Sequence, residues 1–193
     1  MPPVLRRPEP ARPERIMLRF IIPIGLFAAL AAFLFIGLSR DKETLPSPLI
    51  GKPAPLFELA RVEDPSQKIS NREFAGRPYV VNIWGSWCFA CREEHAALME
   101  IARRGEIPLI GLNWKDELPL AQEWLQKLGN PYVVSAFDPE GNVGIDWGAY
   151  GAPETFLVDA HGIIVYKFVS PMTIEVWERE FLPRAKQGGV KGE

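Results

Sequence analysis

The chain has 193 residues, 22 Lys and Arg against 24 Asp and Glu for a net charge of -2, 47% hydrophobic residues and two cysteines. That length holds one globular domain with appendages, and a charged fraction of 24% is ordinary for a folded chain and too low for a coiled coil or bulk disorder. The balance excludes a basic nucleic-acid binder, and two cysteines cannot staple a small secreted scaffold.

The charge is unevenly placed. Residues 1–40 carry six arginines and two glutamates, a net of +4, which leaves -6 on the rest. Residues 1–16, with five prolines, read as a short disordered cytoplasmic tail. Phe20 to Leu38 is a run of 19 uncharged residues, close to the ~20 needed to cross a bilayer as a helix. Residues 17–40 are therefore expected to form a single transmembrane anchor. Arginines crowd its N-terminal flank while Arg40-Asp41-Lys42-Glu43 is balanced, so the N-terminus is expected in the cytoplasm and the domain after Arg40 is expected to be exported. A cleaved signal peptide competes, because Ala28-Ala29-Leu30-Ala31-Ala32 offers small residues at peptidase spacing. Cleavage there would leave Phe33, Leu34, Phe35 and Ile36 on the mature end. Residues 41–50, with Pro46 and Pro48, read as a tether, 51–187 as the domain and 188–193 as a C-terminal tail.

Within 51–187, strand and helix patterns alternate, which predicts an α/β domain. Tyr79 to Trp84 is a β-branched and aromatic run suited to a central strand. Arg92 to Arg104 places Ala96, Leu98, Met99 and Ile101 at near-helical spacing before Gly105, and Ile107 to Leu112 reads as the next strand, parallel to the first. A second helix is predicted over Leu118 to Leu128, then a strand over Tyr132 to Phe137. Thr155–Asp159 and Ile163–Phe168 flank an Ala160-His161-Gly162 turn and predict a β-hairpin, and Thr173 to Arg184 a closing helix.

Cys88 and Cys91 stand between the central strand and the first helix. Unpaired N–H groups and the helix dipole favour negative charge at a helix start, lowering a thiol from ~8.5 into the range ~3.5–7.5. Cys88 is therefore expected to attack as a thiolate, and Cys91, one turn in and more buried, to resolve the mixed disulfide. Three other readings stand beside this one. A structural disulfide over so short a loop contributes little chain entropy. A zinc site needs further ligands, and His95 and His161 form no second pair at zinc-finger spacing. A Cu(I) relay could use Cys88, Cys91 and His95; otherwise His95 is a half-exposed helix histidine.

The stretch Val81-Asn82-Ile83-Trp84-Gly85-Ser86-Trp87-Cys88-Phe89-Ala90-Cys91 resembles the active-site region of thioredoxin-like proteins. With Gly51-Lys52-Pro53-Ala54-Pro55, Gly111-Leu112-Asn113-Trp114-Lys115-Asp116, Leu128-Gly129-Asn130-Pro131-Tyr132 and Tyr150-Gly151-Ala152-Pro153-Glu154-Thr155-Phe156, residues 50 to 187 are similar to the CcmG/DsbE branch of that family. The resemblance implies a thioredoxin-like fold, a central mixed sheet flanked by helices, behind a membrane anchor. It also implies a periplasmic thiol:disulfide oxidoreductase that reduces disulfides of apocytochrome c, or of a thiol-carrying chaperone, during cytochrome c maturation. A membrane electron donor of the DsbD/CcdA type would re-reduce it, and it would use no cofactor beyond its cysteine pair. A general thiol reductase of the TlpA/ResA kind shares the anchor, the fold and the Cys-x-x-Cys.

The same resemblance places Pro153 in a cis-proline loop beside the cysteines, with Trp87 and the backbone of Ala152 meeting the substrate. Thioredoxin has a carboxylate six residues before its first cysteine; here that position is Asn82, which cannot titrate. Another group must then handle the Cys91 proton. Glu154, directly after Pro153, is the first expectation and Asp116 the second.

Overall fold

The computed structural model describes the backbone of residues 13–38 and 47–188. Most of the expected tail at 1–16, the first six residues of the tether at 41–46 and the last five of the C-terminal tail, 189–193, lie outside the described residues. An α-helix, α1, covers Pro13–Leu38, beginning inside the stretch expected to be disordered; proline is well placed at a first helical position because its missing N–H would find no partner there. Its side chains are described from 22 to 35, and all of them are exposed. Among the described residues no helix is long and apolar enough to cross a membrane.

The remainder folds on a five-stranded sheet in the order β5-β4-β3-β6-β7. The strands are β3 (Tyr79–Trp84), β4 (Leu109–Trp114), β5 (Val134–Asp138), β6 (Glu154–Val158) and β7 (Ile164–Phe168). β3 pairs parallel with β4 and β4 with β5, whereas β6 is antiparallel to both β3 and β7. The sheet is therefore mixed, as the thioredoxin-like reading expects. Two helices follow β3 and β4: α2 (Phe89–Arg104) and α3 (Leu118–Leu128). A third, α4 (Asn142–Asp146), follows β5. The closing helix is α5 (Ile174–Val176), continuing through a π-helical turn at Trp177–Phe181 into α6 (Leu182–Gly188). The sequence patterns did not predict α4, the two-stranded antiparallel hairpin of β1 (Glu58–Ala60) and β2 (Lys68–Ser70), or the 3-10 helix at Asn71–Phe74 that follows it.

Side chains alternate across a strand, and this splits the core in two. Val80, Trp84 and Leu157 pack with Cys88, Cys91, Leu98 and Ile101 of the α2 end, Ala121, Trp124 and Leu125 of α3, and Trp177 and Phe181. Val81, Ile83, Phe156 and Val158 face the other way, onto Phe57, Ile69, Phe74 and Trp147. Every residue of β3 is buried, as a strand covered on both faces must be.

Candidate active site

The first two turns of α2 carry the site. Cys88 is the N-cap residue of α2 and is joined to Cys91 in a disulfide with S–S 2.07 Å. The Cys91 N–H donates to Cys88 Sγ at 3.1 Å, one of the helix-end donors that otherwise lack a partner. A negative charge on Cys88 sulfur would sit on that N–H and at the positive end of the helix. The two cysteines are almost equally buried, at 4% and 3% exposed, so burial does not separate attacking from resolving thiol as the sequence reading expected. The cap geometry does.

The buried face of α2 differs from the apolar stripe expected from Ala96, Leu98, Met99 and Ile101. Ala96 and Met99 are exposed, and Glu94 and His95 are buried with Cys91, Leu98 and Ile101. Glu94 lies three residues beyond Cys91, and residues at that spacing are neighbours on a helix, with Cβ atoms ~5–6 Å apart. Its Oε1 accepts from Asn82 Nδ2 at 2.9 Å and its Oε2 from the Met172 N–H at 2.7 Å. Asn82 also donates to Thr155 Oγ1 at 3.0 Å and accepts from the Tyr132 hydroxyl at 2.7 Å. Burial raises the Glu94 carboxyl to about 7, against the opposing pull of the Met172 and Asn82 hydrogen bonds. Burial also raises the Tyr132 phenol, and the nearby Glu94 charge adds to the effect. Asn82 thus has a use that its inability to titrate concealed: it holds a titrating acid beside Cys91.

His95 is buried, not half-exposed. Its Nε2 lies 3.2 and 3.1 Å from the carbonyls of Leu128 and Gly129, and Nδ1 accepts from Trp124 Nε1 at 3.4 Å. Those contacts require the neutral ring with its proton on Nε2, and burial lowers its pKa. Ligation through either nitrogen would break one of them. Among the described residues no group of three or more His, Cys, Asp and Glu could hold a metal ion.

The Ala152–Pro153 peptide bond is cis, and Ala152 packs against the cluster that contains both cysteines. Glu154 goes elsewhere, and the expectation that it handles the Cys91 proton is corrected. In the β3–β6 register Asn82 pairs with Thr155 and Ile83 with Glu154, so Thr155 points to the cysteine face and Glu154 to the opposite one. There Glu154 meets Lys167 Nζ at 2.8 Å, with both side chains buried. Its Oε1 accepts from the Tyr150 and Gly151 N–H groups at 3.1 Å each. Asp116 is also otherwise engaged: it accepts from the Ser86 N–H and hydroxyl at 2.6 Å each, from Asn113 Nδ2 at 2.8 Å and from the Glu117 N–H at 2.8 Å. These contacts brace the turn before Cys88. Trp87 is held by the same segment, its Nε1 donating to the Trp114 carbonyl at 3.2 Å.

A family model described as Redoxin matches residues 49–181. The thiol:disulfide interchange protein DsbE of Allochromatium vinosum is 52% identical over 165 residues, covering 86% of this chain and 91% of that protein. The chain belongs to the DsbE family of thiol:disulfide interchange proteins. The DsbE of Escherichia coli K12 is 43% identical over 169 residues, covering 84% and 91%. Among solved structures, a secreted thiol-disulfide isomerase from Corynebacterium glutamicum superposes with a TM-score of 0.65 at 21% identity, covering 77% of this chain and 94% of that one. That likeness speaks to the fold. As a DsbE-family member with a redox-active Cys88–Cys91 pair, the protein is a thiol-disulfide oxidoreductase.

In this DsbE-family site Glu94 is the acid that sequence reasoning missed. The signal was present: a single carboxylate at the i+3 step of the stripe Cys91, Leu98, Ile101 sits where the helix must face inward. Its titration has a measurable consequence. With the folded carboxyl raised from 4.5 to about 7, the native state binds the proton more tightly than the unfolded chain between those values. Stability is then full below pH 4.5 and is lost as pH rises to about 7. Urea unfolding of the reduced protein should show it falling by about 3 kcal/mol over that interval relative to Glu94→Gln; parallel pH profiles for the two proteins would sink this assignment.

Proposed function

We propose that this protein is a membrane-anchored periplasmic dithiol that reduces disulfides of apocytochrome c, or of the thiol-carrying chaperone that holds it, during cytochrome c maturation. The observation that carries the chemistry is the Cys88 sulfur at the α2 N-cap, accepting the Cys91 N–H, with Glu94 one turn further on. In the reduced protein the Cys88 thiolate attacks one sulfur of the substrate disulfide. The substrate S–S bond breaks, the Cys88–substrate S–S bond forms, and the second substrate sulfur leaves as a thiolate. Cys91, its proton passed to Glu94, attacks Cys88 sulfur and releases the first substrate sulfur. Two electrons move to the substrate and the Cys88–Cys91 disulfide remains. Trp87 and the Ala152 backbone would hold an extended substrate segment.

The anchor is supported by the uncharged run 20–38 and its arginine-rich flank, and by helical backbone over Pro13–Leu38. A dithiol in an oxidising compartment stays useful only if a partner returns electrons to it, and the resemblance to the CcmG/DsbE branch supports a DsbD/CcdA-type membrane donor in that role. The test is the thiol state of Cys88 and Cys91 in cells with and without that donor, read by alkylation beside holocytochrome c content. The reduced form and holocytochromes should be lost together without the donor. A pair that stays reduced, or a deletion strain with normal cytochromes c, would overturn the proposal.

A further inference from the structure

Phe89 is a large side chain at the site for which the described residues show no packing partner. It is 76% exposed, and among the described residues it joins neither apolar cluster and no ring pair. Its neighbour across Cys88 behaves differently: Trp87 is 53% exposed but is tied to Trp114 by a hydrogen bond and a ring contact at 6.4 Å. An exposed Phe is common enough on a protein surface, but this one occupies the first position of α2, between the two cysteines.

The covalent chemistry dictates what must approach it. In a mixed disulfide the Cα atoms of the two joined cysteines stand ~4.4–6.8 Å apart, and the Phe89 Cα is ~3.8 Å from that of Cys88. A partner bonded to Cys88 thus has its own cysteine Cα within ~11 Å of the Phe89 Cα, near enough for a side chain flanking that cysteine to reach the Phe89 ring. Cys88 itself is 4% exposed while its chain neighbours Trp87 and Phe89 are 53% and 76% exposed, so a partner's cysteine has to reach inward and these two side chains are available to meet the residues beside it. We propose that Phe89 is a specificity-determining residue that selects partners carrying an apolar side chain next to the reactive cysteine. This rests on the reading of Cys88 as the attacking sulfur and adds a substrate class to it. In the attack the partner's S–S bond breaks and the Cys88–S bond forms, with the leaving sulfur carrying away the electron pair; Phe89 takes no part in that exchange and acts by burying apolar surface as the bond forms.

The test uses the reduced protein and three disulfides: bis(2-hydroxyethyl) disulfide, and two synthetic peptides with an intramolecular Cys-x-x-Cys disulfide that differ by Leu or Ser beside the first cysteine. Second-order rate constants are read from tryptophan fluorescence, and each peptide rate is divided by the small-disulfide rate so that changes in thiol reactivity cancel. The wild-type ratio should be about tenfold higher for the Leu peptide than for the Ser peptide, the scale expected for partial burial of two apolar side chains. Phe89→Ser should bring the two peptides within about twofold of each other, and Phe89→Leu should restore the preference. A Leu preference that survives in Phe89→Ser, or one that wild type never shows, overturns the inference. If the wild-type protein reacts with none of the three disulfides, or Cys88→Ser reacts with all of them, the attacking-sulfur reading falls first.

Discussion

Cys88→Ser is expected to reduce disulfides at the uncatalysed background rate, while Cys91→Ser still attacks once and then stops as a mixed disulfide. The difference follows from the geometry at the start of α2. Cys88 sulfur is the N-cap acceptor of the Cys91 N–H, and an anion there is stabilised by a hydrogen bond and by the helix dipole. Cys91 lies inside the first turn, and one turn further on along the buried face of the helix is Glu94, a carboxyl raised by burial to about 7. One thiol is thus equipped to be ionised before the substrate arrives and the other to lose its proton when the mixed disulfide has formed. Non-reducing gels of the two variants with a disulfide peptide measure this directly: a trapped adduct with Cys88→Ser and none with Cys91→Ser would reverse the assignment.

Lys167→Met is expected to destabilise the protein by about 3–5 kcal/mol at neutral pH, because it leaves the Glu154 carboxylate buried without its cation. The pair is inside the protein on both sides, and Lys167 Nζ also donates to the Gly148 carbonyl at 2.9 Å and lies 4.3 Å from the Tyr150 ring. A double change, Glu154→Gln with Lys167→Met, should cost less than the single one, since no charge is then left unpaired. The same variants test the placement of Glu154. It holds the Tyr150 and Gly151 amides from the face opposite the cysteines, so its loss should lower stability and leave the midpoint of the exchange rate against pH where it was. A shifted midpoint in Glu154→Gln would return it to the proton path.

The central elements were legible because their patterns are long. Tyr79 to Trp84 has six consecutive apolar, β-branched or buried polar positions, and Leu118 to Leu128 carries a helical stripe closed by Gly129; both have the expected bounds. β1 and β2 have three residues each and α4 five, too few for a period to register. The site was legible where local chemistry decides it, at Cys88 and Cys91, and obscure where parity or distance does. Glu154 follows Pro153 directly, yet a one-residue step in a strand selects the opposite face, and only the Asn82–Thr155 register shows which face that is. Glu94 looked like one charge among several on α2, since its partners Asn82 and Met172 are 12 and 78 residues away. Asp116 was expected as the second candidate for the Cys91 proton, but its hydrogen bonds depend on Ser86, 30 residues earlier, turning both its N–H and its hydroxyl toward it.

The environment of Glu94 is assembled from distant parts of the chain. Asn82 comes from β3, Thr155 from β6, Tyr132 from the approach to β5, and the Met172 amide from the segment leading into the closing helix. A chain still lacking its last third has the two cysteines and the start of α2 but not the enclosure that lifts this carboxyl out of the ordinary acid range. Release of a captured partner, rather than its capture, is therefore the step coupled to completion of the fold. The second thiol acquires its proton acceptor only when the C-terminal segment has docked, so a half-folded molecule can be captured by a partner but is poorly equipped to release it.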